Sequence, residues 1–171
     1  MKSSVIKKLT VTAILTSMVI IMSSFSIPVP GGHVYLNDII IVTAGILLGP
    51  AYAVLAGGFG AFMGDFIFYP LPMFVSLVVH GLQALIISLC SVKRRKWLSI
   101  VGVAIGCIIT IVGYTFGRAY IYSTPENAVL KLPYQILQNV IGSVAGVLLS
   151  WNCGIVKIYD RIIGGNPKSN Q

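Results

Sequence analysis

Residues Gly31–Phe68 read GGHVYLNDIIIVTAGILLGPAYAVLAGGFGAFMGDFIF. The stretch opens on a polar loop, His33-Val34-Tyr35-Leu36-Asn37-Asp38, and passes directly into an apolar run. The run breaks at Gly49-Pro50, resumes, and meets a carboxylate again only at Asp65. Gly-Pro punctuates a chain because proline fixes φ, removes an N–H donor and restricts the residue before it. Two apolar segments joined by such a turn predict a transmembrane hairpin with an acid near each upper end.

Working outward, composition carries the same message. The 171 residues are 56% hydrophobic and 9% charged, with mean hydropathy +0.91. Soluble domains carry about 25% charged residues, so a water-facing exterior is excluded. A bilayer-crossing helix takes about 20 residues, which allows about six spans and leaves no room for a soluble domain. The expectation is one all-α membrane domain over 1–171, with a short basic tail at 1–8 and a polar tail at 164–171. The N-terminal run resembles a secretory signal, but Leu9–Ile27 is long enough to span and more spans follow, so it reads as a retained first helix.

The predicted spans are Leu9–Ile27, Asn37–Leu48 (extended around the Gly-Pro turn), Ala51–Phe68, Met73–Val92, Trp97–Tyr122 and Pro133–Tyr159. The net charge of +8 is not a nucleic-acid stripe. Lys2, Lys7, Lys8, Lys93, Arg94, Arg95, Lys96, Lys157, Arg161 and Lys168 all flank apolar runs and fall on one side of a six-span layout. Arg118 and Lys131 fall on the other. Positive-inside bias then puts both termini in the cytoplasm. Glycine pairs four apart (45/49, 60/64, 102/106, 113/117, 142/146) predict close helix contacts, because small residues let backbones approach where lipid supplies no hydrophobic drive. Cys90, Cys107 and Cys153 have no metal-ligand spacing and read as small buried hydrophobes.

Polar groups inside spans mark function by default. Asn37, Asp38, Asp65, His80, Gln83, Tyr114, Arg118, Tyr134, Gln138 and Asn139 all map to the outer half, together with Tyr35 in the loop before span two. The inner half reads as almost wholly apolar. A channel carries its polar lining right through, so this arrangement predicts a pocket open outside and sealed below. His80 and Gln83, three apart, share a helix face. Gln138 and Asn139 donate and accept, and Tyr35, Tyr114 and Tyr134 can stack on a flat ring. Asp38 and Asp65 are candidates to pair with Arg118 or with a substrate group. No HExxH, GxSxG, Cys/His cluster or Walker A motif is present, so catalysis, metal and cofactor binding have no support and any ATP-driven motor must be another polypeptide.

These residues resemble a family. The small-residue stripe of span one, GGxxYLND, GILLGPxYAxLAGGFGAFMGD and LPYQILQNVIGSVAG together resemble the substrate-binding (S) component of an energy-coupling factor vitamin transporter, over nearly the whole chain. The resemblance implies six helices in a bacterial plasma membrane, a small vitamin as ligand, and three partners: a transmembrane coupling protein and two cytoplasmic ATPases. It also implies that Thr12, Ala13, Thr16 and Ser17 face the coupling protein. Within the family the chain is most similar to the hydroxymethylpyrimidine and pyridoxine group. Where related sequences carry Lys-Gly and then Glu, this chain has His80-Gly81 and Gln83, which suits a neutral flat ring. Pantothenate, riboflavin or thiamine are alternative cargoes. A small membrane enzyme or assembly factor is the alternative from another class, and a self-sufficient ion-coupled carrier lacks the midplane acids it needs.

Overall fold

The computed structural model describes residues 3–164. The expectations for Lys2, for Lys168 and for the tail beyond Gly164 lie outside the described residues. In chain order the elements are α1 (Ser3–Ser24), a hairpin of β1 (Ser26–Val29) and β2 (Gly32–Tyr35), α2 (Asp38–Leu47), α3 (Pro50–Phe68), α4 (Met73–Ser91), α5 (Lys96–Tyr122), α6 (Pro125–Asn152) and α7 (Ile155–Gly164). Among the described residues five helices, α1, α3, α4, α5 and α6, are long and apolar enough to cross a membrane. This is an all-α membrane bundle with one small hairpin set on it.

The short helix α2 sits at the centre. Ten residues rise about 15 Å, half of a bilayer core of about 30 Å. All of its residues except Ile39 are buried, as a helix apolar on every side must be. It packs on α4 and α6, while α4 also holds α3 and α5, and α1 lies on α3. Ile41, Val42 and Ile46 of α2 meet Val19, Ala56, Ala84 and Ile87 in the core.

The glycine pairs form these contacts. Gly60 and Gly64 lie on Val19 and Ser23 of α1, Gly102 and Gly106 on Cys90 and Ile87, and Gly113 and Gly117 on Val79 and Val75. Gly142 and Gly146 meet Asp38 and Val42 of α2. Gly45 meets Ile87, but Gly49 touches nothing and serves only as the turn before Pro50.

Three expectations need correction. The segment after α1 is not an open loop: Ser26–Val29 pairs antiparallel with Gly32–Tyr35, turning through Pro30-Gly31, where Gly31 has φ +79°. Proline at the second turn position and a positive-φ glycine at the third are what such a turn requires. The last long helix begins at Pro125 rather than Pro133. Thr124 caps it, accepting from the Asn127 N–H at 3.4 Å, with proline at the first position and Glu126 in the first turn. That helix ends at Asn152, and Gly154 at φ +74° turns the chain into the separate amphipathic helix α7. Finally, the cysteines are not deeply buried, since Cys90 and Cys107 are half-buried and Cys153 is exposed.

The two ends of the bundle differ in chemistry. At one end Lys7 donates to the Ile162 carbonyl at 3.0 Å, and Arg94 donates to the carbonyls of Ile46 (2.7 Å) and Leu47 (3.0 Å). Arg94 also pairs with Asp160 at 3.0 Å. The N-terminal helix, the 93–96 loop and α7 therefore meet there. The opposite end carries the hairpin, Arg118 and Lys131. The basic end is less apolar than the sequence reading implies, because Ser88, Ser91, Ser99 and Ser150 are buried there and satisfied locally, for example Ser88 by the Leu48 carbonyl at 2.7 Å.

Candidate functional site

Beneath the hairpin lies a cavity lined by His33, Tyr35, Asn37, Asp65, Tyr69, Pro72, His80, Tyr114, Arg118, Tyr122, Gln135 and Gln138. Its void is about 420 Å³ including the mouth, of which about 30 Å³ is open to the centre of a water molecule. A larger groove, about 1030 Å³ on the same measure as the 420 Å³ void, exists at the basic end, lined by the α2–α3 turn together with Lys8, Tyr52, Ser91, Tyr159 and the paired Arg94 and Asp160. Buried polar atoms left without a partner lie instead under the hairpin, at His33, Asn37 and Tyr122.

Each wall follows from local sequence. Asn37 and Asp38 open α2, where an acid in the first turn meets the positive end of the helix dipole. Gln138 bridges two elements: its Oε1 accepts from the Tyr35 N–H at 3.2 Å, and its Nε2 donates to Asp38 at 2.9 Å. Asp38 lies 3.8 Å from His80 Nδ1, which is 2.7 Å from Gln83 Oε1. On the other wall Ser76 donates to the Asp65 carboxylate, and Tyr114 lies 2.6 Å from the same hydroxyl. The Tyr114 and His80 rings are 5.3 Å apart. A widened turn over Arg118–Tyr122 carries the Arg118 guanidinium 5.3 Å above the Tyr122 ring. Local π-type turns of this kind recur at functional sites.

The hairpin is the roof. A two-stranded hairpin is marginal alone, and here two buried cations hold it. Arg118 donates to the Gly31 carbonyl, and Lys131, 2% exposed, donates to the His33 carbonyl at 2.6 Å. Gly31 and Gly32 are required at this approach, since a β-carbon on either would lie 2.9 Å from Asn127 or from the Arg118 guanidinium. The Tyr35 hydroxyl is raised well above the ordinary tyrosine range, by burial first and by the Asp65 charge second.

Of the residues singled out from sequence, Tyr35, Asn37, Asp65, His80, Tyr114, Arg118 and Gln138 line the cavity. Asp38 and Gln83 lie behind this wall, bonded to residues in it. Asn139 is wholly buried and turned to Thr110 and the Gln135 carbonyl, and Tyr134 is half-buried outside the lining. Arg118 pairs with neither aspartate: its partner is the hairpin backbone. His33, Tyr69, Ser76, Tyr122 and Gln135 join the site without having been singled out. The i, i+4 spacing of Arg118 and Tyr122 was the available signal for Tyr122. On α1, Ala13 and Ser17 are exposed, Thr16 is half-buried, and Thr12 is buried and donates to the Lys8 carbonyl.

Most buried polar atoms without a hydrogen-bond partner collect here. Among the described residues they are His33 Nδ1, Asn37 Oδ1, Asp38 Oδ1, Tyr122 Oη and, away from the site, Trp151 Nε1. Buried polar groups are nearly always satisfied, so such a cluster calls for a partner from outside the chain, water or a ligand.

Residues 3–154 match the profile of the ECF-type riboflavin transporter, S component. The chain belongs to this family. It is 33% identical over 150 residues to the thiamine precursor transporter HmpT of Lactococcus lactis subsp. cremoris (strain MG1363), covering 85% of this chain and 86% of that protein. It is also 33% identical over 123 residues to an uncharacterised protein of Pyrococcus woesei, covering 70% and 82%. It is therefore a multi-pass membrane subunit of a vitamin or vitamin-precursor transporter, and not an enzyme.

Proposed function

We propose that this S component captures a single-ring heteroaromatic vitamin or precursor, of the hydroxymethylpyrimidine or pyridoxine type, on the outer face. It delivers that ligand inward with a transmembrane coupling protein and two cytoplasmic ATPases. The chain crosses the membrane six times, with α2 as a short buried crossing completed by its flanking turns. The basic end, with Lys7, Lys8, the 93–96 cluster, Lys157 and Arg161, faces the cytoplasm, where positive charge is favoured. The hairpin end then faces outward. Ala13 and Ser17 present the small-residue docking stripe on α1, with Thr16 at its margin and Thr12 turned away from it.

The observation that carries the cargo class is the cavity. Aromatic and polar side chains surround a void of about 420 Å³ under a roof held by hydrogen bonds. Ligand pockets run from about 300 to 1,000 Å³, and the closed cavity, with about 30 Å³ open to the centre of a water molecule, lies well below that range. One substituted ring suits it once the hairpin lifts. Riboflavin is the second reading, favoured by the family description, and its three fused rings demand a larger expansion. The test is a thermal-shift screen of the purified protein in detergent across water-soluble vitamins and precursors, since a ligand of the folded state raises its melting temperature. A shift with one single-ring compound, and uptake of that compound only in cells carrying a functional ATPase, is expected. A shift with riboflavin alone removes the single-ring assignment. No shift with any vitamin, or uptake without ATPase, refutes the proposal.

A further inference from the structure

The seam between α5 and α6 opens toward lipid. Glycines draw both helices to other neighbours: Gly102, Gly106, Gly113 and Gly117 seat α5 on α4, while Gly142 and Gly146 seat α6 on α2. In the half of the bundle nearer the basic end this leaves a groove between Ile100, Ala104 and Cys107 of α5 and Val140, Val144 and Leu148 of α6. Its void is about 720 Å³ including the open side, and its walls are almost wholly apolar. One turn beyond Ile100 and Leu148 stands Lys96, whose Nζ donates to Asn152 Oδ1 at 3.1 Å across the seam. From Lys96 to Cys107 α5 rises about 16 Å, the depth of one leaflet in a hydrocarbon core of about 30 Å. An ammonium has three protons to donate, and Asn152 takes one. Among the described residues Lys96 has no carboxylate partner, because Asp160, the acid at this end, is held by Arg94. Lys93, Arg95 and Trp97 are exposed beside it. The first turn of α5 has no side-chain cap, which leaves its N–H groups for an anion. The seam opens again in the hairpin half, between Val112 and Phe116 of α5 and Val129 and Leu132 of α6. There the cations are turned inward: Arg118 and Lys131 are buried and bonded to the hairpin, and exposed Glu126 follows Pro125 of the groove wall.

We propose that the groove at the basic end is a binding site for an anionic glycerophospholipid. One acyl chain lies along the seam from Leu148 to Cys107, and the headgroup phosphate meets Lys96 and the uncapped first turn of α5. Lys93 and Arg95 add to the positive field at the same membrane surface. The occupant follows from shape and charge together. The two grooves are separate, one to each leaflet, which matches lipid chains, whereas a spanning partner helix needs one unbroken seam. The groove with Lys96 at its end selects a negative headgroup, and the groove beside Glu126 does not. Which leaflet holds the anionic lipid rests on the orientation proposed above. The preference itself depends neither on that orientation nor on the cargo.

The test uses the full-length protein in detergent, mixed with dioleoyl phosphatidylglycerol and dioleoyl phosphatidylcholine at equal concentration. Native mass spectrometry counts the lipid each chain retains. A basic side chain near an anionic headgroup contributes about fivefold in affinity. One phosphatidylglycerol per chain is expected, held at least about fivefold more tightly than phosphatidylcholine. Lys96→Gln should remove most of that preference, and Ala104→Trp, which fills the groove, should abolish the retained lipid. Val112→Trp fills the groove of the hairpin half and should leave phosphatidylglycerol bound. Lys96, Ala104 and Val112 are all exposed, so none of these substitutions opens the core, and the lipid-free melting temperature shows each variant folded. Equal retention of the two lipids overturns the proposal, as does a preference that survives either Lys96→Gln or Ala104→Trp. A protein of twice the chain mass that falls to monomer on Ala104→Trp, without lipid preference, also overturns it and gives the seam to a second copy.

Discussion

Replacing Gly142 by alanine should disturb the site from outside it. Gly142 lies on α6 where that helix crosses α2, and a β-carbon there would stand 2.5 Å from the Asp38 β-carbon. Carbon atoms rest at about 3.5–4.0 Å, so the helices must part by about 1 Å. The neighbouring backbone atoms of Asp38 are already at 3.5 Å and offer little room to rotate away. Overpacking of this kind costs about 1–3 kcal/mol. The same movement stretches the 2.9 Å bond from Gln138 to Asp38 beyond useful length, and a bond to a charged group contributes about 1.5–3 kcal/mol. The combined loss is about 3 kcal/mol or more. The control is Gly81→Ala on α4, where the nearest atoms would lie at 3.8 Å, an ordinary contact. Alanine there gains up to about 1 kcal/mol of helix propensity. Both variants are purified in detergent, melted without ligand and titrated with the ligand found in the screen. Gly142→Ala should melt lower and bind weakly, and Gly81→Ala should melt at or above the wild-type temperature. A Gly142→Ala protein with wild-type melting and wild-type affinity would refute the claim that close approach of α6 to α2 positions Asp38.

Ala13→Trp should leave ligand binding intact and abolish uptake in cells, because Ala13 is exposed on α1 and outside the cavity; retained uptake would place the docking face elsewhere. Arg94→Ala removes two bonds to the α2 carbonyls and should cost about 2–4 kcal/mol in a thermal or denaturant melt, whereas the half-exposed pair with Asp160 contributes little of that. Tyr35, whose hydroxyl burial raises above the ordinary value of about 10, lends stability that is whole below that value. It is lost as pH rises beyond it, because the unfolded chain ionises first. Tyr35→Phe should flatten the alkaline fall in melting temperature, and an unchanged alkaline slope would contradict the buried setting of this hydroxyl.

The long helices were legible because their apolar runs and their glycine pairs speak the same language as lipid-embedded packing. Polar residues stranded in those runs, such as Asp65 and His80, announced themselves because nothing but a partner or a ligand justifies them. The hairpin was not legible. Ser26–Val29 and Gly32–Tyr35 are too short to show alternation, and what holds them is tertiary: Arg118, Lys131 and Gln138, between about 87 and 103 residues away along the chain. Pro133 misled for a related reason. Proline usually ends or starts a helix, but the cap at Thr124 lies upstream and the helix runs through. Asn139 shows the remaining limit. Periodicity places a residue on a helix, yet only the neighbouring helix decides whether its amide meets a cavity or Thr110.

The shortness of α2 explains why both ends of the bundle are polar. A helix leaves about four N–H groups and four C=O groups unpaired at its ends. In a helix that crosses the whole bilayer those groups reach water, but ten residues leave them inside, where each unsatisfied group is costly. At its C-terminus Arg94 donates to Ile46 and Leu47, and Ser88 donates to Leu48. At its N-terminus Asp38, in the first turn, supplies the negative complement to the dipole, while the Asn37 side chain makes no capping hydrogen bond. Those same two residues hold Ser23, Gln138 and His80 around the cavity. Asp38 therefore answers a structural need of a half-length helix, whereas Asn37 serves the cavity wall, its amide nitrogen bonded to Ser23 and its oxygen buried without a donor.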